Sequence, residues 1–135
     1  MRILLVEDEP LIALNAEITL VDAGYEVIGP CRTHDEALAA AELAKPDLAV
    51  VDINLAGQNE GLGIVRDLQN KLGVRSIFAT GQPSIAREHR DLALGLLQKP
   101  YSSFDLLGAL PVAACILDGG TPPPPNIPGG LELFR

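Results

Sequence analysis

The chain has 135 residues, of which 47% are hydrophobic, enough for one ordinary core and most simply a single domain. Its net charge is −8 with only ten Lys and Arg in all, which excludes the clustered basic face that nucleic-acid phosphates require. No apolar run approaches a membrane span, and the short one after Arg2 leads straight into acids, unlike a signal peptide. Cys31 and Cys115 lie far apart with no metal-ligand spacing, and read as reduced thiols of a cytoplasmic protein.

Strand and helix signals alternate along the chain. Ile3 to Val6 is a continuous apolar run that suits a strand buried on both faces. Pro10 fits the first turn of a helix, and the acid before it is placed to cap. Leu11, Leu14, Ile18 and Val21 recur at helical spacing, and Gly24 is a natural stop. A second strand is predicted over 25–29. Thr33 and Glu36 form a capping-box pattern ahead of an Ala-rich helix that ends at Lys45-Pro46. The third strand, 47–52, again ends on an acid. A polar loop from Ile53 to about Glu60 precedes a helix marked by Leu62, Val65, Leu68 and Leu72 and closed by Gly73. The fourth strand is 74–79, followed by a Thr-Gly-Gln-Pro turn.

A short, polar fourth helix is expected over roughly 84–93, then a fifth strand over 95–98. Ser102 and Asp105 cap a fifth helix starting near Ser103. Pro111 falls inside it, removes one hydrogen bond and predicts a kink or an early end. From Asp118 the chain turns Pro- and Gly-rich, so residues 118–135 read as an extended or disordered tail after a domain of residues 1–117. The closing Leu-Glu-Leu-Phe-Arg either docks back or stays free.

Five such units imply an α/β fold: a doubly wound parallel sheet with helices on both faces. Ligands in these folds sit beyond the carboxyl ends of the strands, where strand order reverses. In a flavodoxin-like five-stranded sheet ordered 2-1-3-4-5, that point lies between the first and third strands. Glu7 and Asp8 follow the first strand and Asp52 ends the third, so the three acids should converge. Like charges held together raise one another's pKa unless a cation relieves them. Few carboxylates and a hard oxygen donor set suit Mg²⁺. Thr80 and Lys99 end the fourth and fifth strands at the same rim, where a lysine would neutralise an incoming phosphoryl group.

The segments "LLVEDEP", "AVVDINL", "IFATG" and "LLQKPY" resemble the signature segments of the receiver domain of bacterial two-component response regulators, over about residues 1–117. "FATG" (Phe78 to Gly81) further resembles a subgroup with that motif at the end of the fourth strand, many of them alphaproteobacterial. The resemblance implies that Asp52 is the phosphoacceptor, served by a sensor histidine kinase or a histidine phosphotransfer protein. It implies Mg²⁺ on Asp8 and Asp52, on Glu7 through water, and on the backbone carbonyl of Asn54. Lys99 would bind the phosphoryl group, Thr80 would relay the signal to a downstream protein target, and Lys99-Pro100 would be a cis peptide. Such a chain is a signalling domain, not an enzyme, working as a monomer or a phosphorylation-dependent dimer.

Three positions depart from the family pattern. Leu96 stands where many receivers carry a mobile aromatic, Gly81 where a small alanine is common, and the span from Thr80 to Lys99 is short. Asn54 and Gln82 occupy places from which phosphoryl lifetime could be set. His34 and His89 lie outside the signature segments and read as surface residues. The alternative is a phosphorylation-independent docking module. A flavin carrier would need a Ser/Thr/Gly loop where this chain has Glu-Asp-Glu-Pro, and an aspartate phosphatase would need a second Asp at position 54.

Overall fold

A computed structural model describes residues 1–122 and 126–134. Six strands and five helices alternate: β1 (Arg2–Val6), α1 (Pro10–Asp22), β2 (Glu26–Cys31), α2 (His34–Ala44), β3 (Leu48–Asp52), α3 (Glu60–Leu72), β4 (Ser76–Thr80), α4 (Pro83–Glu88), β5 (Gly95–Gln98), α5 (Ser103–Leu117) and β6 (Leu131–Leu133). The sheet runs β2-β1-β3-β4-β5-β6. The first five strands are parallel, and β6 pairs antiparallel with β5. None of the helices described is long and apolar enough to cross a membrane.

The sequence explains this layering. Every residue of β3 and β4 is buried, as a strand covered on both faces demands. Along β1 the alternate residues part company. Leu4 and Val6 join a core under α2 and α3, with Val51, Phe78, Ile64 and Leu68. Ile3 and Leu5 join a second core under α1 and α5, with Val50, Ile77, Leu106 and Leu110. The edge strand β2 is only partly buried. Thr33 caps α2 by accepting from the Glu36 N–H (3.1 Å), and Gly73 closes α3 with φ +68°.

The structure corrects several expectations. The sheet has six strands rather than five, because the closing segment, left open in sequence as docked or free, docks and pairs with β5 as β6. That strand fits because Gly95 has no side chain and the backbone of Glu132 lies against it. In α1 the buried residues are Ala13, Ala16 and Leu20, while Leu11, Leu14, Ile18 and Val21 face solvent. Small alanines let the helix lie close to the sheet, which turns the larger apolar stripe outward. Glu9 occupies the N-cap position of α1, but its side chain makes no cap bond. Helix α5 does not end at Pro111 but runs on to Leu117. Val112 and Ala113 pack into the second core just past the proline, and that burial offsets the missing hydrogen bond. The fourth helix is a six-residue α4 followed by a 3-10 turn at Arg90–Leu92.

Candidate phosphoryl and metal site

The carboxyl ends of β1, β3, β4 and β5 meet at one rim. Glu7, Asp8 and Asp52 offer carboxylate oxygens that all lie within 4.8 Å of one another. Glu7 and Asp52 are buried, at 2% and 5% exposure. Lys99, reaching in from the end of β5, places Nζ 2.6 Å from Glu7 Oε1 and 3.4 Å from Asp52 Oδ1.

Backbone amides fix the acids. The Asn54 N–H donates to Asp52 Oδ1 (3.1 Å) at the start of a 3-10 turn, Leu55–Gly57. The Glu9 N–H donates to Glu7 Oε2 (3.2 Å), and the Glu7 N–H is held by the Cys31 carbonyl (2.9 Å). Behind Asp52, the Gly61 N–H donates to the Ile53 carbonyl (3.0 Å). A Cβ at Gly61 would strike the Asp52 and Ile53 backbone, so only glycine lets the first turn of α3 seat the end of β3. Thr80 is buried, and its Oγ accepts from the Gln82 N–H (2.9 Å). Its carbonyl accepts from the Lys99 N–H (2.8 Å), and the Lys99–Pro100 peptide is cis.

Two of the three gathered acids, Glu7 and Asp52, are buried, where a charged carboxylate is costly. Burial above all pushes the Glu7 carboxyl up to about 7; Asp52 adds to the rise and the Lys99 hydrogen bond opposes it. Burial works against the Lys99 ammonium, but hydrogen bonds to and charges on Glu7 and Asp52 outweigh it and raise its pKa. The donor set is all oxygen and the proton demand on Glu7 is high. Both fit a hard divalent cation of the Mg²⁺ kind.

The remaining positions fall around this centre. Leu96 is fully inside the first core, paired across from Phe78, with no polar atom to present. The Gln82 side chain is exposed at the rim. His34 bonds Asp67 (2.8 Å) and His89 bonds the Ile85 carbonyl (3.0 Å), so neither ring is bonded to the three acids. Two further residues lie beside this centre. Tyr101 is half-buried, and its phenol is pushed up to about 12 by burial and then by the charges of Glu7 and Asp52. Arg32 lines the same cleft as Glu7 and Asp8. Tyr101 closes the Leu96–Tyr101 signature segment two residues past Lys99, whereas nothing in the local sequence marks Arg32.

The model of the response regulator receiver domain matches residues 3–110. This chain belongs to the response regulator receiver family. It is 40% identical over 103 residues to the phyllosphere-induced regulator PhyR of Methylorubrum extorquens, covering 74% of this chain and 38% of that protein. It is 32% identical over 115 residues to the transcriptional regulatory protein PdtaR of Mycobacterium tuberculosis, covering 83% and 56%. A CheY-like receiver domain protein from Methanospirillum hungatei superposes with a TM-score of 0.77 at 27% identity, covering 87% of this chain and 96% of that one. The chain thus spans well under two thirds of either relative's length. As a receiver, it is a two-component signalling domain and not an enzyme.

Proposed function

We propose that Asp52 accepts a phosphoryl group from a histidine-phosphorylated sensor kinase or phosphotransfer protein, in a Mg²⁺-dependent reaction, and that the phosphorylated domain changes its affinity for a downstream protein. The observation that carries this is Lys99 Nζ poised over both Glu7 and Asp52 within a cluster of three carboxylates.

A carboxylate oxygen of Asp52 attacks phosphorus. The new O–P bond forms as the P–N bond to the donor imidazole breaks, and the imidazole nitrogen keeps the electron pair and takes up a proton. Lys99 neutralises charge on the phosphoryl oxygens. The Asn54 amide holds Asp52 in place for attack. Asp8, Asp52 and the Asn54 carbonyl would hold Mg²⁺ directly and Glu7 through water; when bound, the ion supplies positive charge against the acids and the phosphoryl group. Thr80 would exchange its bond from the Gln82 amide for a phosphoryl oxygen, and Asn54 and Gln82 would set how readily water reaches the acyl phosphate. The Phe78–Gly81 segment supports membership of the Phe-Ala-Thr-Gly subgroup.

The test is intact mass after incubation with acetyl phosphate and Mg²⁺. One phosphoryl group on the wild type, and none after prior chelation, is the expected result. No adduct, from acetyl phosphate or from a phosphohistidine donor, would favour the second reading, a docking module that works without phosphorylation. The buried Leu96, which cannot relay a polar signal, is the observation on that side.

A further inference from the structure

The C-terminal strand occupies the edge of β5 next to the site, and the fold is cut to receive it. Three glycines make room. A Cβ at Gly95 would strike the backbone of Glu132, one at Gly130 would strike the Asp105 carboxylate, and one at Gly108 would come to 2.6 Å from Pro128. Gly95 pairs with Leu133 and Leu97 with Leu131. The Gln98 N–H donates to the Gly130 carbonyl (3.1 Å), the Phe134 N–H to the Leu94 carbonyl (2.9 Å) and the Gly130 N–H to Asp105 Oδ1 (3.3 Å). Arg87 of α4 grips Glu132 with two nitrogens (Nε–Oε2 2.9 Å, Nη2–Oε1 2.7 Å). The Arg90 guanidinium lies 5.7 Å from the Phe134 ring centroid.

Asp105 and Gly108 belong to α5, but two of the fastenings lead back to the segments that flank the site. Successive amides at the end of β5 point opposite ways: Gln98 holds the C-terminal strand, and Lys99 holds the Thr80 carbonyl. Helix α4, which carries Arg87, starts just after Gln82, whose amide holds the Thr80 hydroxyl. Leu131 is buried in the second core, but two other parts of the hold are weak. The strand is three residues long, and the Arg87–Glu132 pair is solvent-exposed, a kind of ion pair that contributes little.

We propose that Gly130–Phe134 is a displaceable latch over the β5 edge, and that phosphorylation at Asp52 releases it. The inference rests on the phosphoacceptor reading above. When Thr80 leaves the Gln82 amide and Lys99 turns to the phosphoryl group, the Gln98 and Arg87 anchors shift and the short strand loses its register. Release bares the β5 edge and the apolar strip under Leu131. By linkage, freeing the latch must favour the phosphorylated state in return.

The test is amide exchange read by mass spectrometry on the full chain, with and without acetyl phosphate and Mg²⁺, phosphorylation being scored by intact mass in the same samples. Exchange over 130–134 should quicken by about fivefold or more on phosphorylation, the low end of ordinary coupling factors. It should not change in Asp52→Asn. Gly95→Ala, or the milder surface change Arg87→Ala, should show fast exchange there before any phosphodonor is added, and should accumulate phosphoryl groups faster than the wild type. A full adduct with unchanged or slower exchange over 130–134 overturns the latch and leaves the phosphoacceptor reading standing. Absence of an adduct overturns that reading and the proposed trigger together, and the mass distinguishes the two failures.

Discussion

The two ends of the sheet carry the same chemistry and use it differently. At the amino ends of the strands, Arg2 sits between two acids: its Nε lies 2.6 Å from Glu26, and its backbone N–H donates to Asp47 (2.7 Å). At the carboxyl ends, Lys99 sits between Glu7 and Asp52 at 2.6 and 3.4 Å. The Arg2 and Glu26 side chains are 51% and 61% exposed; those of Lys99 and Glu7 are 15% and 2% exposed. Water screens the first arrangement, which ties strands together and does little else. The second is buried, and a third carboxylate, Asp8, lies within 4.8 Å of the other two. Burial and the gathering of three carboxylates are what set this pair apart from a surface ion pair and suit it to a hard cation.

That contrast breaks most sharply at glycines. Gly61→Ala at the carboxyl end forces α3 off β3 and should cost about 3 kcal/mol or more in urea unfolding. Gly73→Ala at the amino end meets open space and only loses a favoured φ, for about 1 kcal/mol. Equal costs would mean that the end of β3 is not seated as described.

Removing the cations comes next. Lys99→Ala takes the ammonium from two buried acids, Glu7 and Asp52, and should cost about 3 kcal/mol without metal at pH 8. The loss should shrink at pH 6, where Glu7 holds its proton. Arg2→Ala should cost less than about 1 kcal/mol at either pH.

The pH dependence follows from Glu7. Its folded pKa of about 7 lies above the ordinary 4.5, so between those values the folded state binds more protons than the unfolded. Metal-free stability from this group is therefore full below about 4.5, falls as pH rises through that window and is lost above about 7. Mg²⁺ competes with that proton, so its shift in melting temperature should be larger at pH 8 than at pH 6. A larger shift at pH 6 would contradict the assignment of Glu7 to the site. The smallest effect belongs outside both ends: Leu14→Ala on the exposed stripe of α1 should change stability by less than about 0.5 kcal/mol, whereas Leu68→Ala in α3 should cost about 2–5 kcal/mol.

That last pair also marks what was legible in the sequence. Helical periodicity announced both helices, but not which side of α1 faces the sheet, because Ala13 and Ala16 carry too little apolar weight to declare a buried face. The site acids were legible because each ends an apolar strand and the topology brings strand ends together. Gly61 and Arg32 were not, since their place depends on approach through space. That the closing segment could dock was legible, but where it docks was not: its socket is built by Gly95, Gly108 and Arg87, none of them adjacent to it in sequence.

The central claim is that Asp52 is the group the buried cluster serves. The most direct measurement treats the acetyl phosphate-phosphorylated protein with borohydride, which reduces an aspartyl phosphate to homoserine, and maps the product by peptide mass spectrometry. Homoserine at position 52 alone, absent when Mg²⁺ is withheld, is the result this account predicts. Homoserine at position 8, or a phosphoryl group elsewhere with residue 52 unmodified, would contradict it.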